Sequence, residues 1–97
     1  MIDVSLKEKR AVVTGASLGI GAASVKLLAE HGADVSFCAR NESAVDELVK
    51  HKVRGSGLIK GFIADMGEAE STQSFIEQIL AEGPIDILIN NVGASPS

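Results

Sequence analysis

The sequence has no tryptophan and no tyrosine, only three phenylalanines and two prolines, and a single cysteine among its 97 residues. With one cysteine, Cys38, no internal disulfide can form, which excludes the disulfide scaffolds of small secreted proteins. Basic charge is also scarce. Nine Lys and Arg stand against thirteen Asp and Glu, a net charge of −4, so the clustered basic face of a nucleic-acid binder is not expected. No apolar run approaches the ~20 residues of a membrane-spanning helix, and Met1 to Arg10 is polar and charged, unlike a secretory leader. Neither Cys38 nor the two histidines fall in a cluster with metal-ligand spacing. His31 and His51 instead lie near expected helix ends, where an imidazolium suits the negative end of the helix dipole. What remains is one small domain, 45% apolar and 23% charged, with a cytoplasmic location expected.

Its apolar runs of strand length alternate with segments of helical period, the pattern of a parallel sheet with helical crossovers. The first strand is predicted at Arg10 to Thr14, followed by a glycine loop from Gly15 to Gly21. A helix from Gly19 to His31 follows, with Ile20, Ala23, Leu27 and Leu28 on its inner face and Gly32 as its stop. The second strand is predicted at Asp34 to Ala39. Asn41 suits the cap of the next helix, whose apolar stripe is Ala44, Val45, Leu48 and Val49. Lys50, Lys52 and Arg54 gather at its tail, and Gly55, Ser56 and Gly57 form a turn. The third strand spans Leu58 to Ala64, with Gly61 as a weak point inside it. The third helix begins near Glu68 and Glu70, presents Phe75, Ile76, Ile79 and Leu80 inward, and ends at Gly83-Pro84. The fourth strand, Ile85 to Asn90, is apolar except for Asp86 and reads as buried on both faces. The result is βαβαβαβ, with one domain over residues 1–97. Its most apolar strand would stand at an open edge, so the sequence reads as a cut part of a larger sheet.

Three glycines, at 15, 19 and 21, occupy the turn from first strand to first helix. Gly15 permits the tight turn, Gly19 lets backbone approach a phosphate, and Gly21 lets the helix pack close to the sheet. Free N–H groups and the positive dipole end at a helix N-terminus favour a pyrophosphate there. The spacing is G-x-x-x-G-x-G, not the common G-x-G-x-x-G. The same loop can also be a tight turn with no ligand, and the βα context favours nucleotide binding. Ser17 stands within it as a phosphate contact or a helix cap.

The residue about 20 positions after such a loop selects the cofactor, because a carboxylate there holds the ribose 2′-hydroxyl of NAD. Here that place is taken by Ala39 and then Arg40. A guanidinium binds a 2′-phosphate through charge-assisted hydrogen bonds, which points to NADP(H) over NAD(H). The alternative for Arg40 is a solvated surface arginine. Asn41 and Ser43 are additional candidates for the phosphate, with capping as the competing role for Asn41. Asp65, ending the third strand, is placed to accept from the adenine amino group, with the Met66 N–H donating to the ring; a helix cap is the equal alternative. Cys38, inside a strand, reads as a small buried apolar group.

Thr14-Gly15-Ala16-Ser17-Leu18-Gly19-Ile20-Gly21, then Asp65, then Asn90-Asn91-Val92-Gly93 resemble the short-chain dehydrogenase/reductase superfamily across essentially the whole chain. The resemblance implies a Rossmann-like doubly wound parallel sheet of strand order 3-2-1-4. It implies that Gly15, Ser17, Leu18, Gly19, Ile20 and Gly21 line the cofactor's adenosine-phosphate portion and that Asp65 reaches the adenine. It also implies that Asn90, Asn91, Val92 and Gly93 lie along the cofactor and stabilise the central sheet. Val92 replaces the family's usual alanine, and Leu18 stands where many NADP-preferring members carry Arg or Lys, so NADP preference rests mainly on Arg40. The family's catalytic serine, Tyr-x-x-x-Lys pair and assisting asparagine lie beyond this segment, and this chain has no tyrosine to fill that role. The resemblance therefore implies an oxidoreductase of small carbonyls or secondary alcohols, homodimeric or homotetrameric when intact, with the 97-residue chain inactive alone. A non-catalytic half-domain that binds a nucleotide or a partner is the other reading.

Overall fold

The computed structural model describes residues 5–15, 19–51 and 55–90. The elements run β1 (Arg10–Thr14), α1 (Gly19–Glu30), β2 (Asp34–Ala39), α2 (Glu42–Val49), β3 (Ile59–Ile63), α3 (Ala69–Ala81) and β4 (Ile87–Asn90). All four strands are parallel in the order β3-β2-β1-β4. The doubly wound sheet expected from the sequence is the sheet observed.

The sheet is covered on both sides. Ala11 and Val13 of β1, with Val35, Phe37 and Ala39 of β2, pack against Val25 and Ala29 of α1 and Val45 and Leu48 of α2. On the opposite side Val12 and Cys38 pack with Phe75 and Ile79 of α3 and with Ala64. Because successive strand residues face opposite sides, β1 and β2 must be apolar at nearly every position to sit between two helical layers. Each fully buried Phe75 or Ile79 side chain contributes about 1.5–3 kcal/mol. Phe62 meets Phe75 edge to face at 5.4 Å, fastening β3 to α3.

Helix ends follow local chemistry. Asn41 has extended backbone, and its Oδ1 accepts from the N–H groups of Ser43 and Ala44, so the capping role expected of it is the one observed. α1 stops at Gly32, whose φ of 102° lies where side chains are disfavoured. The C-terminus of α3 is closed by Arg10, whose guanidinium donates to the Ile79 and Gly83 carbonyls and pairs with Glu82. The polar start of the fourth apolar run is explained at the same place. The Asp86 carboxylate accepts from the Arg10 N–H while the Arg10 carbonyl accepts from the Asp86 N–H, setting where β4 joins β1.

Four expectations need correction. The buried stripe of α1 is Gly21, Val25 and Ala29, whereas Ile20 and Leu27 are 76% and 57% exposed and Ala23 faces solvent; of the expected set only Leu28 packs on the core. This helix is apolar nearly all round, and its small residues turn to the sheet because they allow close approach. Leu80 of α3 is also exposed, leaving Phe75 and Ile79 as the buried pair and Ile76 half-buried. β4 starts at Ile87 rather than at residue 85 and is not buried on both faces: Leu88 is 59% exposed, since β4 pairs only with β1 among the described residues. Gly61 is not a weak point. A Cβ there would stand 2.6 Å from Val45 Cγ1 and 2.9 Å from Phe37 Cζ, so its bareness is what lets α2 lie on β3.

Candidate functional site

In a parallel sheet the C-terminal strand ends open on one edge, and the register lines them up. Val13 pairs with Phe37, Ala39 with Ile63 and Thr14 with Asn90. The register sets Gly15 level with Ala39 and Ile63, so Gly15, Arg40 and Asp65 leave the same edge of the sheet on three neighbouring strands about 4.8 Å apart, each one residue farther out than the last. Ligands of open α/β sheets bind along this edge.

At its centre the chain turns from β1 into α1 through Gly15 and Gly19, with φ of 64° and 60°. Among the described residues, no atom lies within 4 Å of where a Cβ on Gly19 would stand, and close approach of a phosphate to backbone needs such room. Ile20 is exposed at the first turn of α1, and Gly21 is buried against the sheet. Ser17 and Leu18 lie outside the described residues, as do Asn91, Val92 and Gly93.

One strand over, Arg40 follows β2 immediately and is exposed. None of the ion pairs among the described residues uses it. Asn41 beside it spends its carbonyl oxygen on the α2 cap and keeps its amide group for other contacts. Behind this edge Cys38 is fully buried. Burial pushes its thiol above the ordinary 9.0, opposed in part by the Gly15 N–H.

Just past the end of β3, Asp65 does not cap α3; the cap position is Glu68, whose side chain makes no capping bond. The Asp65 Oδ1 accepts from the Gly67 N–H at 2.8 Å, a local turn that fixes the carboxylate. Two contacts escape sequence reasoning. Ser71 Oγ accepts from the Asp65 N–H at 2.8 Å, and Thr72 Oγ1 donates to the Met66 carbonyl at 3.2 Å. Their one signal is a Ser-Thr pair in the first turns of a helix, where hydroxyls reach back to preceding backbone. On the far side of β1, Thr14 bonds Asn90 between the ends of β1 and β4.

The arrangement thus offers two positive-φ glycines, a cation without an ion-pair partner among the described residues and a locally bonded carboxylate along one edge of the sheet. The family model for short chain dehydrogenase matches residues 9–97. The chain belongs to the short-chain dehydrogenase family. Within it, the chain is 37% identical over 92 residues to the uncharacterized oxidoreductase YvrD of Bacillus subtilis and 38% identical over 91 residues to a 7alpha-hydroxysteroid dehydrogenase of Clostridium sardiniense. These alignments cover 95% and 93% of the chain and 35% of each relative, so the chain spans about a third of their length. Among solved structures it resembles a short-chain dehydrogenase/reductase from Serratia marcescens, with TM-score 0.80 and 35% identity over 89% of this chain and 36% of that one. The Pseudomonas aeruginosa RhlG/NADP complex aligns with TM-score 0.79 and 32% identity, over 95% of this chain and 37% of that one.

Proposed function

We propose that this chain is the N-terminal, cofactor-gripping part of an NADP(H)-dependent oxidoreductase that interconverts a small carbonyl compound and a secondary alcohol. The observation that carries the reading is Arg40, exposed at the end of β2, one strand from the turn at Gly15 and Gly19. A carboxylate at that place would repel a 2′-phosphate, and a guanidinium attracts it. The complex of the related RhlG protein with NADP supports the same choice. When bound, the nicotinamide supplies the hydride or receives it.

The chain's own residues hold the cofactor. In this reading Gly15, Ser17, Leu18, Gly19, Ile20 and Gly21 take the pyrophosphate side, and Arg40 with Asn41 takes the 2′-phosphate. Asp65 and Met66 take the adenine, and Asn91, Val92 and Gly93 run along the rest. The proton-transfer residues of the family belong to sequence beyond these motifs, and the 97-residue chain alone is expected to show no turnover.

The test is a titration of the intact protein with NADPH and NADH, repeated on Arg40→Ala. Arg40→Ala should lose at least about tenfold of its preference for NADPH, the worth of a charge-assisted hydrogen bond of roughly 1.5–3 kcal/mol. An unchanged ratio refutes the assignment of Arg40.

A further inference from the structure

We infer that Ser71 and Thr72 of α3 are positioning residues that set the affinity and base selectivity of the adenine end of the site. The inference rests on the reading of Asp65 and Met66 as adenine contacts. Neither hydroxyl touches the base; each holds the segment that does.

The geometry begins where β3 leaves the sheet. The Ala64 N–H still bonds the Ala39 carbonyl on β2. Along a strand successive N–H groups point to opposite sides, so the Asp65 N–H points away from β2, toward the outer edge where no described strand stands. An N–H in that place would be left to water and free to rotate. Ser71 meets it at 2.8 Å. In a capping box the third residue of a helix reaches back to the N–H of the cap residue. Ser71 is the third residue of α3, but it reaches past the cap residue, Glu68, to Asp65. The Glu68 N–H is satisfied separately by the Asp65 carbonyl. Thr72, one residue on, fixes the Met66–Gly67 peptide by donating to the Met66 carbonyl.

Between these two bonds the peptide joining Asp65 to Met66 has its orientation set. Asp65 Oδ1 is committed to the Gly67 N–H, and Oδ2 has no hydrogen-bond partner among the described residues. The segment therefore offers one carboxylate oxygen and one backbone N–H, side by side in a fixed frame. Adenine presents a complementary edge, an amino donor next to a ring-nitrogen acceptor. Hypoxanthine presents the reverse, a carbonyl next to a ring N–H. A rigid frame discriminates between these edges, and a loose one re-aims its groups and discriminates less.

The experiment measures binding of NADPH and of reduced nicotinamide hypoxanthine dinucleotide phosphate to the intact protein, by titration of nicotinamide fluorescence. Ser71→Ala is expected to weaken NADPH binding about fivefold, the worth of one net hydrogen bond, while the hypoxanthine cofactor loses little. The adenine preference then shrinks. Ser71→Thr restores it, because the hydroxyl is kept and the added methyl has room in a hollow of about 160 Å³ lined by Phe62, Ala64 and Phe75. If Ser71→Ala does not fold, Thr72→Val provides the same test through the Met66 carbonyl, and it should shrink the preference in the same direction. Equal weakening toward both cofactors, or no change, overturns the inference and leaves the dinucleotide reading standing. Failure of the unsubstituted protein to bind either cofactor overturns both.

Discussion

Thr14 Oγ1 donates a 2.8 Å hydrogen bond to Asn90 Oδ1, joining the C-terminal ends of β1 and β4 across 76 positions of sequence. Thr14 is 5% exposed, so the bond forms where water competes weakly. Thr14→Val keeps the shape and removes the donor. It should lower stability by about 1 kcal/mol, read as a lower urea midpoint at unchanged slope. A midpoint equal to that of the unsubstituted protein would show that the bond contributes nothing net.

Gly61 should resist even the smallest side chain. A Cβ at this position would have one side-chain atom each of Val45, Phe37 and Val49 within 3.0 Å, so Gly61→Ala must displace α2 from the sheet. Overpacking of this kind costs about 1–3 kcal/mol. Combining it with Val45→Ala, which vacates the nearest contact, should recover part of the loss. Simple additivity of the two losses would argue against the steric account.

Glu82 gives the fold an acid-sensitive contact. Its carboxyl is held below the ordinary 4.5, first by the hydrogen bond from Lys60 and then by the charges of Lys60 and Arg10. A carboxylate whose pKa is depressed on folding stabilises the protein above its unfolded value. That contribution is lost as pH falls below about 4.5 through the folded value. Glu82→Gln should flatten this part of the stability profile, and added salt should do the same to the unsubstituted protein. An identical acid limb in both proteins would place the sensitivity elsewhere.

Cys38 should be chemically silent in the folded state. Its side chain is fully buried and its thiol is pushed up by that burial, so little thiolate exists at neutral pH and no reagent reaches it. Alkylation with iodoacetamide should follow global unfolding in urea. Rapid labelling of native protein would show that the layer between β2 and α3 opens locally.

The strands were more legible in the sequence than the faces of the helices. β1 and β2 begin and end where the apolar runs and flanking charges place them, because a strand between two helical layers is apolar almost throughout and needs no choice of face. α1 demands such a choice, and its sequence, GIGAASVKLLAE, offers apolar residues on every side. Volume decided it: the sheet took Gly21, Val25 and Ala29, and the bulky Ile20 and Leu27 were left outside. At the candidate site, Gly15, Arg40 and Asp65 could be read from the strand ends that carry them. Ser71 and Thr72 could not, since their importance depends on an N–H and a carbonyl six positions earlier, exposed only once β3 stands at the rim.

The two outer strands of the described sheet differ in kind. β3 carries Lys60, paired with Glu82, and a charge there deters strand addition. β4 offers Ile87, Leu88 and Ile89 in succession with no charge among them. The sheet therefore behaves like a crystal with one passivated face and one live one. A further strand would meet a charge at the β3 rim and an uncharged apolar run at the β4 rim, and that contrast rests on Lys60 alone.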